Sequence, residues 1–194
     1  MKLTLLAVTT LVLAGSAHAS QIFFGGGGGD LGVSSKTFSN GPISVIVTGY
    51  SSNNSQVHLY SKGAASIGTE DGLGLTNDPS GDHEIQGTSF IQIDISSLTG
   101  PIQISMGSTS GDGWVIFGSN TAGTKGSTSL LTGNNDDASL LTIPGAKNWH
   151  FIDVAAASNN VLLQSLAAVN TPEPGTLGLL GVGVIGLGLL RRRR

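Results

Sequence analysis

The densest set of side chains able to do chemistry is Glu70-Asp71 with Asp78, Asp82, His83 and Glu84, interrupted by Gly72, Gly74, Pro79 and Gly81. Carboxylates on so flexible a backbone could wrap a hard cation, which takes about six to eight oxygen ligands, and calcium is the ion that such a set would suit. Glu70, Asp71, Asp78, Asp82 and Glu84 are therefore the candidate metal ligands, in a role that braces loops. The Asp-x-Asp-x-Asp-Gly spacing of an EF-hand is absent, so a solvated acidic loop accounts for the same residues. Asp136-Asp137, after Asn134-Asn135, is a weaker candidate and reads as a turn.

Other chemistries find less support. His58, His83 and His150 stand far apart, with no His-x-His or His-Glu-x-x-His spacing for zinc. No Gly-x-Ser-x-Gly elbow accompanies the many hydroxyls, so Ser-His-Asp catalysis is left with its residue types alone. Glycoside hydrolysis would need two carboxylates about 5 to 9.5 Å apart, a separation that the sequence does not determine. Gly25 to Gly29 is not followed by Lys-Ser/Thr and a helix, so it reads as a loop and not a phosphate cradle. Gly181-Val182-Gly183-Val184-Ile185-Gly186 copies a dinucleotide fingerprint inside an apolar run that no strand precedes, and carries no weight. Among the aromatics, Trp114 and Trp149 fall in predicted strands, where packing is the default. Tyr50 opens a turn region and is the candidate for stacking on a sugar ring.

The elements that must position these residues are strands. In Phe90 to Ile95 the residues Ile91, Ile93 and Ile95 alternate with polar or outward partners, and in Ile102 to Met106 so do Ile102, Ile104 and Met106. Period two puts each set on one face, which is core. Ile43 to Thr48 and Val57 to Ser61 are β-branched runs expected to pair as a hairpin across the Ser/Asn-rich stretch between them. Gly100-Pro101 turns the chain before Ile102. Trp114 to Phe117, apolar at both parities, reads as a central strand covered on both sides or as one passing from core to sheet end. Leu140 to Ile143, Trp149 to Ala155 and Val161 to Val169 complete eight or nine short strands. No sustained helical period interrupts them, and the expected fold is an all-β, jelly-roll-like β-sandwich.

Composition narrows the setting. Charged residues are 11% of the chain, against about 25% in ordinary soluble domains. Its surface must be largely Ser, Thr, Asn and Gly. There is no cysteine, so no disulfide can hold the fold, which depends on its core or a bound ion. Between Asp30 and Asp153 lie eleven carboxylates against four lysines, Lys36, Lys62, Lys125 and Lys147. Nucleic acid, which needs a basic patch, is not an expected partner.

The two ends set the topology. Lys2, the apolar Leu3 to Ala14, and Ala17-His18-Ala19 have the three regions of a secretory signal peptide, with cleavage after Ala19. At the other end, Gly175 to Leu190 holds only Gly, Leu, Val, Ile and one Thr, and Arg191, Arg192, Arg193 and Arg194 follow. In lipid such a run must coil into a helix to satisfy its own backbone. As a transmembrane helix it would reach roughly 24 Å across a hydrocarbon core of about 30 Å, which suits a temporary anchor. The arginines stay on the cytoplasmic side, leaving everything before Pro172 outside. Pro172-Glu173-Pro174, the Gly/Leu-rich span and the arginine stop resemble, in order and position, the PEP-CTERM tail of exported bacterial proteins, with Thr171 where that family most often has Val. The resemblance covers about the last 24 residues. It implies recognition by a membrane-embedded exosortase and export towards the cell surface or its polysaccharide matrix.

The expected organisation is a signal peptide at 1–19, a sandwich at 20–170 and a sorting tail at 171–194. The expected role is that of a non-catalytic surface or matrix protein binding glycan or another matrix component. A secreted polysaccharide-processing enzyme is the alternative.

Overall fold

The computed structural model describes residues 18–63, 70–107, 111–134 and 139–170. In chain order the first strands are β1 (His18–Phe23), β2 (Gly29–Asp30), β3 (Ser35–Asn40), β4 (Ile43–Tyr50) and β5 (Leu59–Lys62). They are followed by β6 (Gly72–Leu75), β7 (Ile85–Gln86), β8 (Phe90–Asp94), β9 (Ile102–Met106) and β10 (Gly113–Ser119). The series ends with β11 (Thr128–Asn134), β12 (Leu141–Thr142), β13 (Phe151–Ser158), β14 (Asn160–Val161) and β15 (Leu163–Asn170). Apart from a 3₁₀ turn at Ala146–Asn148, the described residues contain no helix.

Two antiparallel sheets form a sandwich-like all-β fold. A six-stranded sheet runs β11-β10-β13-β8-β4-β3, and a seven-stranded sheet runs β12-β9-β15-β6-β5-β2, with β1 also paired to β15. Register carries the isoleucine alternation across the six-stranded sheet. Val47 lies beside Ile93 and Ile93 beside Ile152, while Ile91 lies beside Val154 and Val154 beside Ile116, so inward residues form continuous rows. The opposite sheet answers with Leu163 beside Leu73 and Met106, and Leu59 beside Leu75. These side chains are buried in one core with Trp114. The faces close tightly at Gly49, where a β-carbon would sit 2.5 Å from Leu75 and 3.2 Å from Leu59.

A smaller layer covers the outer face of the six-stranded sheet. Tyr50, Phe90, Val115 and Ala155 are buried there with Phe117 packed against them. The connection between β10 and β11 folds back over this patch, and Gly123 packs on the Tyr50 ring.

Three expectations change. Residues 43–48 and 57–61 do not pair as a hairpin. Tyr50 and Gln56 make one bridge and Val57 N–H donates to the Gly49 carbonyl at 3.0 Å, after which β4 stays in one sheet and β5 enters the other. There are also more strands than expected. β3 and β11 are largely exposed, polar edge strands without the apolar alternation by which strands are read, and β6 is Gly-Leu-Gly-Leu, whose glycines are poor strand formers. Trp149 closes the 3₁₀ turn and lies over Gly118, and β13 starts two residues later. At the N-terminal end β1 begins at His18, so a cut after Ala19 would remove its first two residues.

Candidate functional site

The segment from Asn77 to Glu84 leaves β6 and doubles back over the outer face of β5 and β6. It can lie this close because β6 is glycine where they cross: a β-carbon on Gly74 would fall 1.9 Å from the His83 carbonyl oxygen. Asp78 holds the strap in shape. Its carboxylate accepts from the Ser80 hydroxyl (2.7 Å), the Ser80 N–H (3.0 Å) and the Glu84 N–H (3.2 Å). Burial pushes Asp78 up, but these donors outweigh it and hold its carboxyl below the usual range.

Under the strap lies a lysine between two carboxylates. Tyr60 and Lys62, two apart on β5, both face outward, and the strap covers Lys62 until it is 6% exposed. Its Nζ donates to Glu84 Oε1 at 2.5 Å and also to Glu70 Oε2. Burial alone would lower the lysine, and the two carboxylates reverse that and raise it. Burial pushes Glu84 up to about 7 against the pull of Lys62, and the neighbouring Glu70 pushes the same way. One ammonium thus serves two acids in a place where little water reaches.

These groups line a pocket of about 410 Å³ together with Tyr60, Asp82, His83 and Asn160. The His83 ring stacks on Tyr60 with centroids 4.1 Å apart and planes 18° from parallel. Its backbone is left-handed, with φ at 61°, which is unfavourable for a residue with a β-carbon and is retained only where the surroundings dictate it. His83 Nδ1 is buried without a hydrogen-bond partner.

Of the five expected ligands, then, Glu70 and Glu84 meet on a lysine, Asp78 serves its own loop, and Asp82 lines the pocket. Asp71 is apart from them, against Gly25, with a buried Oδ1 that has no hydrogen-bond partner among the described residues. Among the described residues no three His, Asp or Glu side chains lie close enough to hold one ion. Tyr50 is 7% exposed and stacks on Phe90 at 5.0 Å, so its ring faces the protein. His58 lies in the open beside Asp30 at 3.2 Å, and His150 is exposed. Asp136-Asp137, Ala17, Pro172, Glu173, Pro174 and Arg191 to Arg194 lie outside the described residues, as does the side chain of Ala19. Sequence reasoning missed Lys62. Nothing near it in the chain marks it, because Glu84 is 22 residues away and only the doubled-back strap brings the two together.

What the described residues define is a cysteine-free, all-β domain with one lysine clasped between two carboxylates under a strap. The tail adds a sorting signal: residues 170–194 match the PEP-CTERM protein-sorting motif, which supports a PEP-CTERM protein. Such a motif indicates export, sorting by an exosortase and anchoring in the membrane before processing. No curated protein and no solved structure matches the chain. Among the described residues no helix is long and apolar enough to cross a membrane, and the Gly175 to Leu190 run lies outside them.

Proposed function

We propose that residues 20–170 form a non-catalytic module that binds glycan or another component of the surface matrix, once its signal peptide is removed and its tail has been sorted. The observation that carries this reading is the commitment of Glu70 and Glu84 to Lys62. A glycosidase needs its two carboxylates on either side of the scissile bond, with room for sugar between them. Here a cation occupies that room. The pocket beside the triad is instead suited to holding a sugar: the Tyr60–His83 stack supplies a flat apolar wall, and Asp82 and Asn160 supply acceptors and donors for ring hydroxyls.

The test is a glycan-binding screen of the full chain, kept in mild detergent for its apolar tail, beside Tyr60→Ala and Asp82→Ala. Binding that falls about tenfold or more in either variant is expected, each group contributing on the order of 1.4 kcal/mol. Release of reducing ends from any bound polysaccharide, abolished by Glu84→Gln, would replace this reading with the polysaccharide-processing enzyme.

A further inference from the structure

We propose that Lys62 and Glu84 condense with one another, so that the mature protein carries a self-made amide bond from Lys62 Nζ to the side-chain carbonyl of Glu84. The two groups are already in contact, with Nζ donating to Oε1 at 2.5 Å, and Lys62 is 6% and Glu84 3% exposed. Neither is free to swing away. β5 is paired on both sides, by β2 and β6, and the Glu84 N–H is tied to Asp78 while the strap rests on Gly74. Reactants held in contact by a folded scaffold gain effective concentration, which in well-oriented intramolecular pairs reaches on the order of 10⁵ M or more.

The chemistry needs an amine, a carboxylic acid and a group to move protons between them. Glu70 is the third member, accepting from the same Nζ. Burial keeps part of Glu84 in the acid form near neutrality, which is the electrophile the reaction requires. One Nζ proton passes to Glu84 across their contact, the uncharged amine so formed attacks the Glu84 side-chain carbonyl carbon, and Glu70 takes a proton from the nitrogen and returns it to the departing hydroxyl. One C–N bond forms, one C–O bond breaks, and a single water leaves through the adjoining pocket. Glu70 finishes as it began, and no oxidant, reductant or cofactor is consumed. The gain is electrostatic as well as covalent, since a buried ammonium and a buried carboxylate, both costly to desolvate, become one neutral amide. In a chain with no cysteine, the bond closes a covalent loop from β5 to the strap and does what a disulfide would do in another exported domain.

The experiment is peptide mapping of the purified full chain with a protease that cuts before aspartate. Asp71, Asp78 and Asp82 lie between the two residues, so unlinked Lys62 and Glu84 end in separate peptides. The expected result is one joined species lighter than the sum of the two by one water, absent from Lys62→Arg, which keeps the cation and its ion pairs. In Glu70→Gln, with its fold confirmed by circular dichroism, the joined species forms about a hundredfold more slowly, the ordinary loss on removing a proton-transfer group. Two separate peptides at full mass in the unaltered chain would overturn the proposal. A Lys62–Glu70 link, which stays within one peptide, would overturn the assignment to Glu84. A joined species that persists in Lys62→Arg is not the Lys62–Glu84 amide and overturns the proposal as well.

Discussion

Gln92 and Asp153 stand directly opposite each other on β8 and β13, and Gln92 Nε2 donates to Asp153 Oδ1 at 2.8 Å. Both point to the outer face, yet Asp153 is fully buried. Their remaining polar atoms hold down the connection that covers them: Gly126 N–H donates to Asp153 Oδ2 (2.7 Å), Gly123 N–H to Gln92 Oε1 (2.9 Å), and Gln92 Nε2 to the Thr121 carbonyl (3.3 Å). Two side chains on a sheet thereby close a second small core over Tyr50 and Phe90.

Removing one member should cost more than a surface hydrogen bond does. Asp153→Ala leaves the Gly126 N–H without an acceptor and the Gln92 amide with only the Thr121 carbonyl under a folded loop, where each orphaned N–H costs about 1–3 kcal/mol. The expected result is a loss of about 2–4 kcal/mol with an unchanged urea m-value. A loss under about 0.5 kcal/mol would mean that water reaches these donors and that the loop is not closed.

The same residue sets a pH dependence. Burial pushes Asp153 up to about 6 from an ordinary 3.8, against the pull of the Gly126 N–H, Gln92 and Lys125. A carboxyl raised in the folded state binds protons that the unfolded chain releases. Its contribution is therefore fully present below the unfolded value of 3.8 and is lost as pH rises through about 6. The difference is worth on the order of 3 kcal/mol. Glu84, at about 7, acts in the same direction wherever its carboxyl is free. Asp78 and Asp30, held below the usual range, act in the opposite one and lose their contribution in more acid solution. The melting midpoint should rise between pH 8 and pH 5, and Asp153→Asn should remove its share of that rise, leaving the share of any free Glu84 carboxyl. A midpoint that falls over this interval would contradict the burial of Asp153.

How much of this could be read from residues alone depended on whether a feature was local. The alternation of Ile91, Ile93 and Ile95, and of Ile102, Ile104 and Met106, is local, and both runs are strands with those residues buried. β3 and β11 escaped because an edge strand facing solvent has no apolar face to alternate. The pairing of β4 with β5 was expected because neighbouring runs usually pair, and here the chain crosses between sheets instead. Four carboxylates of the acidic stretch, Glu70, Asp78, Asp82 and Glu84, lie at or under the strap. Its chemistry was hidden because Lys62, the residue that Glu70 and Glu84 share, is joined to Glu84 only through the tertiary fold.

Gly74 is where that fold permits the site, and alanine should not be accepted there. A β-carbon 1.9 Å from the His83 carbonyl must push the strap off β6. The cost is that of overpacking, about 1–3 kcal/mol or more. Because the displaced strap carries Glu84, Gly74→Ala should also lose the Lys62–Glu84 contact, and any covalent product of it, while Gly81→Ala, strained by its left-handed φ of 80° but with open space around its β-carbon, should lose some stability and leave that contact in place. Equal effects from the two substitutions would show that the close crossing at Gly74 does not position Glu84.

Chelation bears on the acidic stretch. Glu70 and Glu84 spend their charge on Lys62, Asp78 on its own loop, and Asp71 faces elsewhere, so these groups do not converge on one point as a calcium ion would require. Excess chelator should leave the melting midpoint unchanged. A fall that is restored by added calcium would show an ion bound to the fold and would reopen the loop as a metal site.

The tail carries a separate prediction, because export and folding are read from different parts of the chain. Replacing Pro172, Glu173 and Pro174 with alanine leaves the apolar run and the arginines as they are, so the altered protein should still reach the membrane with its strands outside. It should then stay there, its mass still including Arg191 to Arg194, while the unaltered chain in the same cells loses them. Replacing the four arginines with glutamine tests the other half of the signal. Without them the positive-inside bias at this end is gone, and the short run no longer has a cationic stop to hold it at the cytoplasmic face. That chain should be released without ordered cleavage or left uncut in mixed orientation, as protease added from outside would report. If the alanine variant were trimmed as efficiently as the unaltered chain, the triplet would not be the feature that the sorting machinery reads.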